Sequence, residues 1–448
     1  MPGSADVNDP PVFLKRLFAA AVAAVQPGPA LSAQFPAPPR RGRLIVIGAG
    51  KAAAAMALAA ERHYASEIEG LVIVPEGYAL PCARIEIVEA AHPVPDARGM
   101  AAALRILHLA ETASVDDLVL CLLSGGASAL MGLPAPGVTL VDKRAITTAL
   151  LRSGAAIGEI NCVRKHLSAV KGGRLAAAAA PARIVSLIVS DVVGDDPAVI
   201  ASGPTVPDPT TCGDAIAVLD KYKVSIPPAV HTALANGLLE TPKQCSGDVS
   251  AVIVARPSDA LAAAAAVARG QGLDVLHLGD ACEGEARAGA ASQAQLVRAI
   301  REGRHATRPP CVILSGGEYT VTVAGEGRGG PNTEFALALA LDLAGLCNVW
   351  ALAADTDGRD GAAGAAGAVV GPQTLQRARA GGDDPEEVLR RNDSAGLFHI
   401  LGDLVNPGPT RTNVNDFRAI LVLPEDMRHI DLAGTQQNLI IGRTEGRP

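Results

Sequence analysis

Short apolar runs that alternate with helical patterns constrain this chain more than any other feature. Residues 43–47, 70–74, 85–88, 117–123 and 184–189 read as buried strands, and alanine- or leucine-rich helical spacing separates most of them. The rhythm restarts with strand patterns at 249–255, 273–278, 311–314 and 349–354, and a last one lies near 420–423. Strands in alternation with helices imply βαβ units and a mostly parallel sheet covered on both faces. Sheets of that kind bind ligands beyond the carboxyl ends of their strands. Here those ends carry Lys51, Ser124, Asp191, Ser315 and Asp355, a regularity that points to an enzyme.

The 448 residues leave room for two large domains or three smaller ones. A stretch rich in Pro, Gly and Thr runs from 202 to 209 and recurs near Pro227, Pro228 and Pro242, which puts the expected boundary at 245/246. The chain is 49% hydrophobic but only 2% aromatic, so its cores must be packed with Ala, Val, Leu and Ile. Net charge is −7 and there is no basic tract, which argues against a nucleic-acid partner. Eight cysteines are scattered without a C-x-x-C pair and read as buried thiols of a reducing, cytoplasmic compartment. Lys15-Arg16 and the apolar run after it imitate a signal peptide. Acidic residues and two prolines precede them, however, and Phe13, Leu14, Leu17, Phe18 and Val22 recur at helical spacing, so an N-terminal amphipathic helix is the better reading. The apolar run 335–354 is broken by Asp342 and Asn348 and reads as a helix followed by a strand, not as a membrane span.

Residues 311–340 hold the densest set of signals. An apolar strand stops at Ser315-Gly316-Gly317-Glu318, residues 320–323 alternate like a half-buried strand, and Gly325, Gly327, Gly329 and Gly330 surround the single cation Arg328. Helical spacing begins at Asn332 or Thr333. Turn amides and a helix N-terminus suit an anion such as phosphate, while two plain hairpin turns with a solvated Arg fit the same residues. The string Leu-Ser-Gly-Gly also occurs at 123–126, again after an apolar strand. The pair reads either as two phosphate-type loops or as a coincidence of common turn residues.

Gly48-Ala49-Gly50-Lys51-Ala52-Ala53 fits a relaxed G-x-G-x-x-A dinucleotide fingerprint between strand and helix. A lysine facing the phosphate suits a transferring phosphoryl group equally well. Asp191, at a strand end before Gly194-Asp195-Asp196, is placed to deprotonate a hydroxyl or hold Mg²⁺, or simply to cap a turn. Asp355, Asp357 and Asp360 alternate like hard-cation ligands without the full calcium-loop pattern, so metal and plain turn stay open. Asn161, Arg164, Lys165, Lys171 and Arg174 form a dense basic group; on one helix, Arg164 with Lys171 and Lys171 with Arg174 would share a face. Such donors suit a small carboxylate. His92 reads as a turn histidine, and no Ser-His-Asp arrangement is legible.

Taken together, G-A-G-K-A-A at 48, H-P-V-P-D at 92, L-L-S-G-G-A-S-A-L at 122, R-K-H-L-S-A-V-K-G-G at 164, S-D-V-V-G-D-D-P at 190, G-R-G-G-P-N-T-E-F-A-L-A at 327 and G-P-T-R-T-N-V-N-D at 408 resemble the glycerate 2-kinase family with a C-terminal MOFRL domain, often labelled hydroxypyruvate reductase. The resemblance spans residues 12 to 445. It implies two α/β domains, an N-terminal Rossmann-like kinase domain over 1–245 and a MOFRL-containing domain over 246–448, with the active site in the cleft between them. The implied activity is ATP- and Mg²⁺-dependent phosphorylation of the 2-hydroxyl of D-glycerate. An NAD(P)H-dependent hydroxypyruvate reductase is the alternative, resting on the Gly48 fingerprint.

By the same resemblance the catalytic residues are Lys51, Asp191 and Arg328. Gly48, Gly50, Ser124, Gly125, Gly126, Ser128, Ser315, Gly316, Gly317 and Asn332 would contact nucleotide or phosphate, Arg164 and Lys171 the substrate, and Asp191, Glu318 and Asp355 the metal. The expected partners are ATP and a small hydroxy acid, with no nucleic acid and no membrane, and with room for a homodimer. The sequence departs from the family pattern at Pro331, Thr333, Ala395 and Pro407, which leaves the acceptor open.

Overall fold

The structure is a computed structural model that describes residues 9–64, 67–245 and 247–425. It divides into two compact units. The first comprises Val25–Pro257 with Pro409–Val414; the second is built on Ser258–Gly408, with the helix Pro10–Ala24 and the last strand added to it.

In the first unit, β1 (Leu44–Ala49), β2 (Ile68–Pro75), β3 (Ile85–Ala90), β4 (Leu118–Leu123), β5 (Arg183–Val189) and β6 (Val249–Ala255) form one sheet in the order 3-2-1-4-5-6, all neighbours parallel. This is the order of a dinucleotide-binding fold, whose switch point lies between β1 and β4. Ile45, Ile47, Val119, Cys121 and Ile184 pack with Ala102, Ala103 and Ile106 of the helix Ala97–Glu111. Their neighbours Val46, Leu120 and Val185 are buried as well, so the strands read as continuous apolar runs. Four helices, Leu140–Arg152, Ile157–His166, Cys212–Lys221 and Pro228–Ala235, form a separate small core.

The second unit contains β7 (Asp274–His277), β8 (Gly284–Glu285), β9 (Cys311–Gly317), β10 (Tyr319–Thr320), β11 (Val349–Asp355), β12 (Gly367–Val370), β13 (Leu404–Val405) and β14 (Asp416–Val422). Six of them form a mixed sheet in the order 13-12-11-14-9-7, in which β7 and β9 alone pair parallel, and β8 pairs with β10. The N-terminal helix packs on β11 and β14, with Phe18 against Phe417 at 5.9 Å. No helix among the described residues is long and apolar enough to cross a membrane.

Three expectations need correction. The chain passes between the units at Pro257/Ser258, not at 245/246, because β6 adds to the first sheet through parallel pairing with β5. The Pro-rich stretch that suggested a boundary is a crossover, and it carries the helices Cys212–Lys221 and Pro228–Ala235. The strand expected over 320–323 ends at Thr320, and Val323 lies exposed. The basic group does not ride one helix. That helix stops at His166, and a new one starts at Arg174 after left-handed glycines at 172 and 173.

Candidate active site

The carboxyl ends of β1, β4 and β5 meet in the first unit and bring Lys51, Ser124, Gly125 and Asp191 together. Ser124 Oγ accepts from the amide of Ala52 at 2.9 Å, and the amide of Lys51 donates to the carbonyl of Gly125, also at 2.9 Å. The two turns are locked back to back, which leaves no space for a side chain: a Cβ on Gly50 would lie 2.2 Å from Ser124 Oγ, and one on Gly48 1.9 Å from the carbonyl of Leu122. The amide of Gly50 donates to Ile73. The fingerprint glycines therefore serve close packing, and the amides of Gly50, Lys51 and Ala52 are spent inside the protein instead of cradling a pyrophosphate. By contrast, no acceptor among the described residues takes the N–H of Gly125 or Gly126.

Asp191 is half-buried, and its Oδ2 accepts from Asn413 Nδ2 at 3.0 Å. Gly125 lies directly beneath the pair: a Cβ there would meet Asn413 Nδ2 at 2.0 Å and Asp191 Oδ2 at 2.2 Å. His92 closes the other side, its Nε2 2.9 Å from where a Gly126 Cβ would stand. Asn413 belongs to the Gly408 motif, but sequence reasoning does not single it out. Its signal is the repeated Asn in T-N-V-N-D, whose partner 222 positions away no local pattern reveals.

A chain of hydroxyl and amide contacts leads from this turn to the basic group. Ser128 Oγ lies 3.0 Å from Ser202 Oγ, which reaches Asn161 Oδ1 at 3.4 Å. The cations there divide by partner. Lys165 pairs with Asp208 at 3.3 Å, and Arg174 donates to the carbonyls of Leu239 and Glu240. Arg164 and Lys171 have no carboxylate partner among the described residues, and Lys143 joins them from the helix Leu140–Arg152. Burial, reinforced by Arg164, pushes the Lys143 ammonium down to about 7, while burial with both neighbours drives Lys171 well below the lysine range. Sequence reasoning misses Lys143, although it occupies the stripe of Ile146 and Leu150 where an apolar residue is expected.

The second unit treats its expected site residues differently. Ser315, Gly316 and Gly317 are the end of β9, not a turn, and pair antiparallel with Arg418, Phe417 and Asp416. Ser315 Oγ is buried and accepts from Gln293. The N-terminus of the helix Pro331–Leu343, expected to face phosphate, is filled by the protein itself: Asp360 accepts from the amides of Asn332 and Thr333 at 2.9 and 2.8 Å and from Thr333 Oγ1 at 2.8 Å. Burial lifts the Asp360 carboxyl to about 7. Asn332 is buried, its amide donating to Asp360 and Asp416, so it faces carboxylates and not a ligand phosphate.

The glycine loop around Arg328 lies flat against the segment 391–394. Asn392 Oδ1 accepts from the amides of Ala324 and Gly325, and Asp393 Oδ1 from that of Arg328. A Cβ on Gly325 or Gly327 would strike Arg391 or Asp393 at 2.3 and 2.4 Å. The loop is thus a braced mount that leaves Arg328 exposed. Glu318 and Asp355 follow β9 and end β11, with β14 and its Asp416 between them. Asp355 Oδ1 is partly used, since it accepts from the amide of Asp357. A hard cation such as Mg²⁺ wants oxygen donors; Asp191, Glu318 and Asp355 each offer them. Among the described residues the one compact His/Cys/acid trio is His166, Cys212 and Glu240, a softer donor set.

These features define a two-unit α/β protein with a lysine–aspartate site at the carboxyl edge of a parallel sheet. The family described as "domain of unknown function (DUF4147)" matches residues 13–235, and the MOFRL family matches 311–416. A relative in Agrobacterium vitis with a provisional hydroxypyruvate reductase name is 51% identical over 414 residues, 91% of this chain and 94% of its own. The D-glycerate 2-kinase of Thermotoga maritima is 40% identical over 376 residues, covering 84% and 89% of the two chains. A crystal structure of glycerate kinase from Thermotoga maritima superposes with a TM-score of 0.83 at 37% identity, over 92% of this chain and 99% of that one. The chain belongs to the MOFRL-containing glycerate kinase family.

Proposed function

We propose that this protein is an ATP-dependent kinase that phosphorylates the 2-hydroxyl of D-glycerate, giving 2-phosphoglycerate and ADP. The observation that carries the reading is the Asp191–Asn413 pair held over Gly125 beside the Lys51 turn. A carboxylate kept in place by an amide is suited to take the proton of an attacking hydroxyl. The substrate oxygen then bonds to the γ-phosphorus as the bond to the β-phosphate oxygen breaks, and ADP leaves. Lys51 offsets the charge on the transferring oxygens, Arg328 is the further catalytic cation that the resemblance implies, and the amides of Gly125 and Gly126 suit a phosphate oxygen. Mg²⁺, held through Asp191, Glu318 or Asp355, would neutralise phosphate charge. Arg164 and Lys171 would hold the substrate carboxylate.

The test is a paired assay on purified protein. One arm supplies ATP, Mg²⁺ and D-glycerate, follows ADP and identifies the phosphoglycerate isomer. The other supplies NADH or NADPH with hydroxypyruvate. Glycerate-dependent ADP with the 2-phosphate as product is the expected result. Nicotinamide oxidation without ADP would overturn the reading, and the spent amides of the Gly50 turn argue against that outcome.

A further inference from the structure

We propose that Lys143, Arg164 and Lys171, with Ser128, Asn161 and Ser202, form a built pocket for the carboxylate of a small 2-hydroxy acid, and that Lys143 is its third, unassigned cation. The proposal rests on the kinase reading only for the identity of the acid. Lys143 and Lys171 are 5% and 1% exposed, and each ammonium has one neutral acceptor: the carbonyl of Leu133 at 3.2 Å and that of Ala201 at 3.4 Å. Three cations share one neighbourhood without a carboxylate among the described residues, while Lys165, one residue from Arg164, has its own acid in Asp208. Burying charge without a counter-charge is costly. At 143 the helix could have used leucine or methionine on the stripe of Ile146 and Leu150, so the lysine makes sense as half of an interaction whose other half is a ligand.

The backbone agrees. Ala201 and Ser202 both hold left-handed φ, +55° and +61°, a conformation that non-glycine residues adopt only under constraint. That bend aims the Ala201 carbonyl at Lys171 and the Ser202 hydroxyl at Ser128 and Asn161. Ser128 lies on the short helix after the Ser124-Gly125-Gly126 turn, so the pocket adjoins the Asp191 site through the protein's own hydroxyls. An entering anion would offset the burial and, with it, the neighbouring positive charge that drive the two lysines toward neutrality. A carboxylate and a phosphate share the oxyanion chemistry, and the experiment must separate them.

Calorimetric binding without ATP does so, with D-glycerate, D-lactate, glycerol and inorganic phosphate as probes. D-glycerate and D-lactate are expected to bind and glycerol is not. Lys143→Met should weaken D-glycerate by tenfold or more while Tm stays level or rises, because the variant removes an uncompensated buried charge. Arg164→Gln, at a half-buried position, should weaken it similarly. In turnover, Lys143→Met should raise KM for the acid far more than it lowers kcat. A lower Tm with unchanged affinity would make Lys143 structural, and binding of phosphate without either acid would make the pocket a phosphate site; each result overturns the proposal. Acid binding that depends on Lys143 without any ADP formation would instead leave the pocket standing and remove the kinase reading.

Discussion

The string Leu-Ser-Gly-Gly folds in two different ways in this molecule. At Leu123 it leaves a parallel strand, turns at Gly126 with φ +85°, and opens the helix Ala127–Leu130. At Leu314 it stays in the strand to Gly317, hydrogen-bonded to β14. The residues after the string decide between the two. Ala-Ser-Ala-Leu favours a helix, whereas Glu-Tyr-Thr brings the aromatic and β-branched residues that suit a pleated surface. The polar clusters beside the two copies differ in the same sense. Near the first, a carboxylate is held half-buried and three cations have no acid partner among the described residues. Near the second, Asn332 donates to both Asp360 and Asp416, and Arg418 lies 4.0 Å above the Tyr319 ring and 3.4 Å from Asp416, so each charge there has an internal partner, although Asn332 Oδ1 and Arg418 Nε are left without one among the described residues. Cations short of a counter-charge ask for a ligand, whereas charges paired inside the protein hold the fold.

The largest effects should come from the first cluster. Asp191→Asn or Lys51→Ala is expected to lower kcat by about 10²–10³-fold, the scale of removing one charge-stabilising donor, with Tm little changed. Near wild-type turnover in either variant would end the assignment. Ser315→Ala, the matching change at the second copy, should leave kcat alone, because its hydroxyl faces Gln293 inside the protein.

Glycine replacements sharpen the contrast. Gly125→Ala drives a methyl into Asp191 and Asn413, and moving a catalytic carboxylate by about 1 Å can cost on the order of 100-fold in rate. Gly316→Ala meets nothing nearer than 3.3 Å and should cost little of either rate or stability. Comparable kcat losses in the two variants would mean that the second copy also touches substrate.

The strand–helix alternation, the parallel first sheet and the helix after Gly330 are legible in the sequence because apolar periodicity fixes them locally. Three features are not. The loss of the 315–317 turn depends on β14, about a hundred residues away in sequence. The capture of the Pro331 helix N-terminus by Asp360 is likewise a tertiary event, since a phosphate-seeking N-terminus and one already capped look identical in sequence. Lys143 stays hidden because a lysine in a helix reads as solvated until its face is known. The glycines at 48, 50, 325 and 327 stand out in the sequence for the wrong reason: they permit backbones to touch, whereas the turn at 125–126 leaves its amides open among the described residues.

Asp360 tests the closed cluster directly. Asp360→Ala strands two amides and a hydroxyl in a buried site and should destabilise the protein by roughly 2–4 kcal/mol. Chemical denaturation would read the loss, while kcat measured well below the melting range should hold. A variant as stable as wild type would mean that water replaces the carboxylate and that the cluster is not closed.

The smallest effect separates the clusters by sign. Asp360 is raised from 3.8 to about 7 in the fold, so between those values the native state holds a proton that the unfolded chain has lost, and stability falls as pH rises toward 7. Lys143 is lowered from 10.5 to about 7, so above 7 the unfolded chain holds the extra proton, and stability climbs as pH rises toward 10.5. Together the two residues put a shallow minimum in ligand-free stability near neutrality. Asp360→Asn should shrink the acid limb, to which the raised Asp416 also contributes, and Lys143→Met the alkaline limb, to which the lowered Lys171 also contributes, in denaturation series from pH 5 to 9. Saturating D-glycerate should also flatten the alkaline limb, because an anion beside Lys143 keeps its proton in place. An alkaline limb left unchanged by both the ligand and Lys143→Met would show that the first cluster needs no anion.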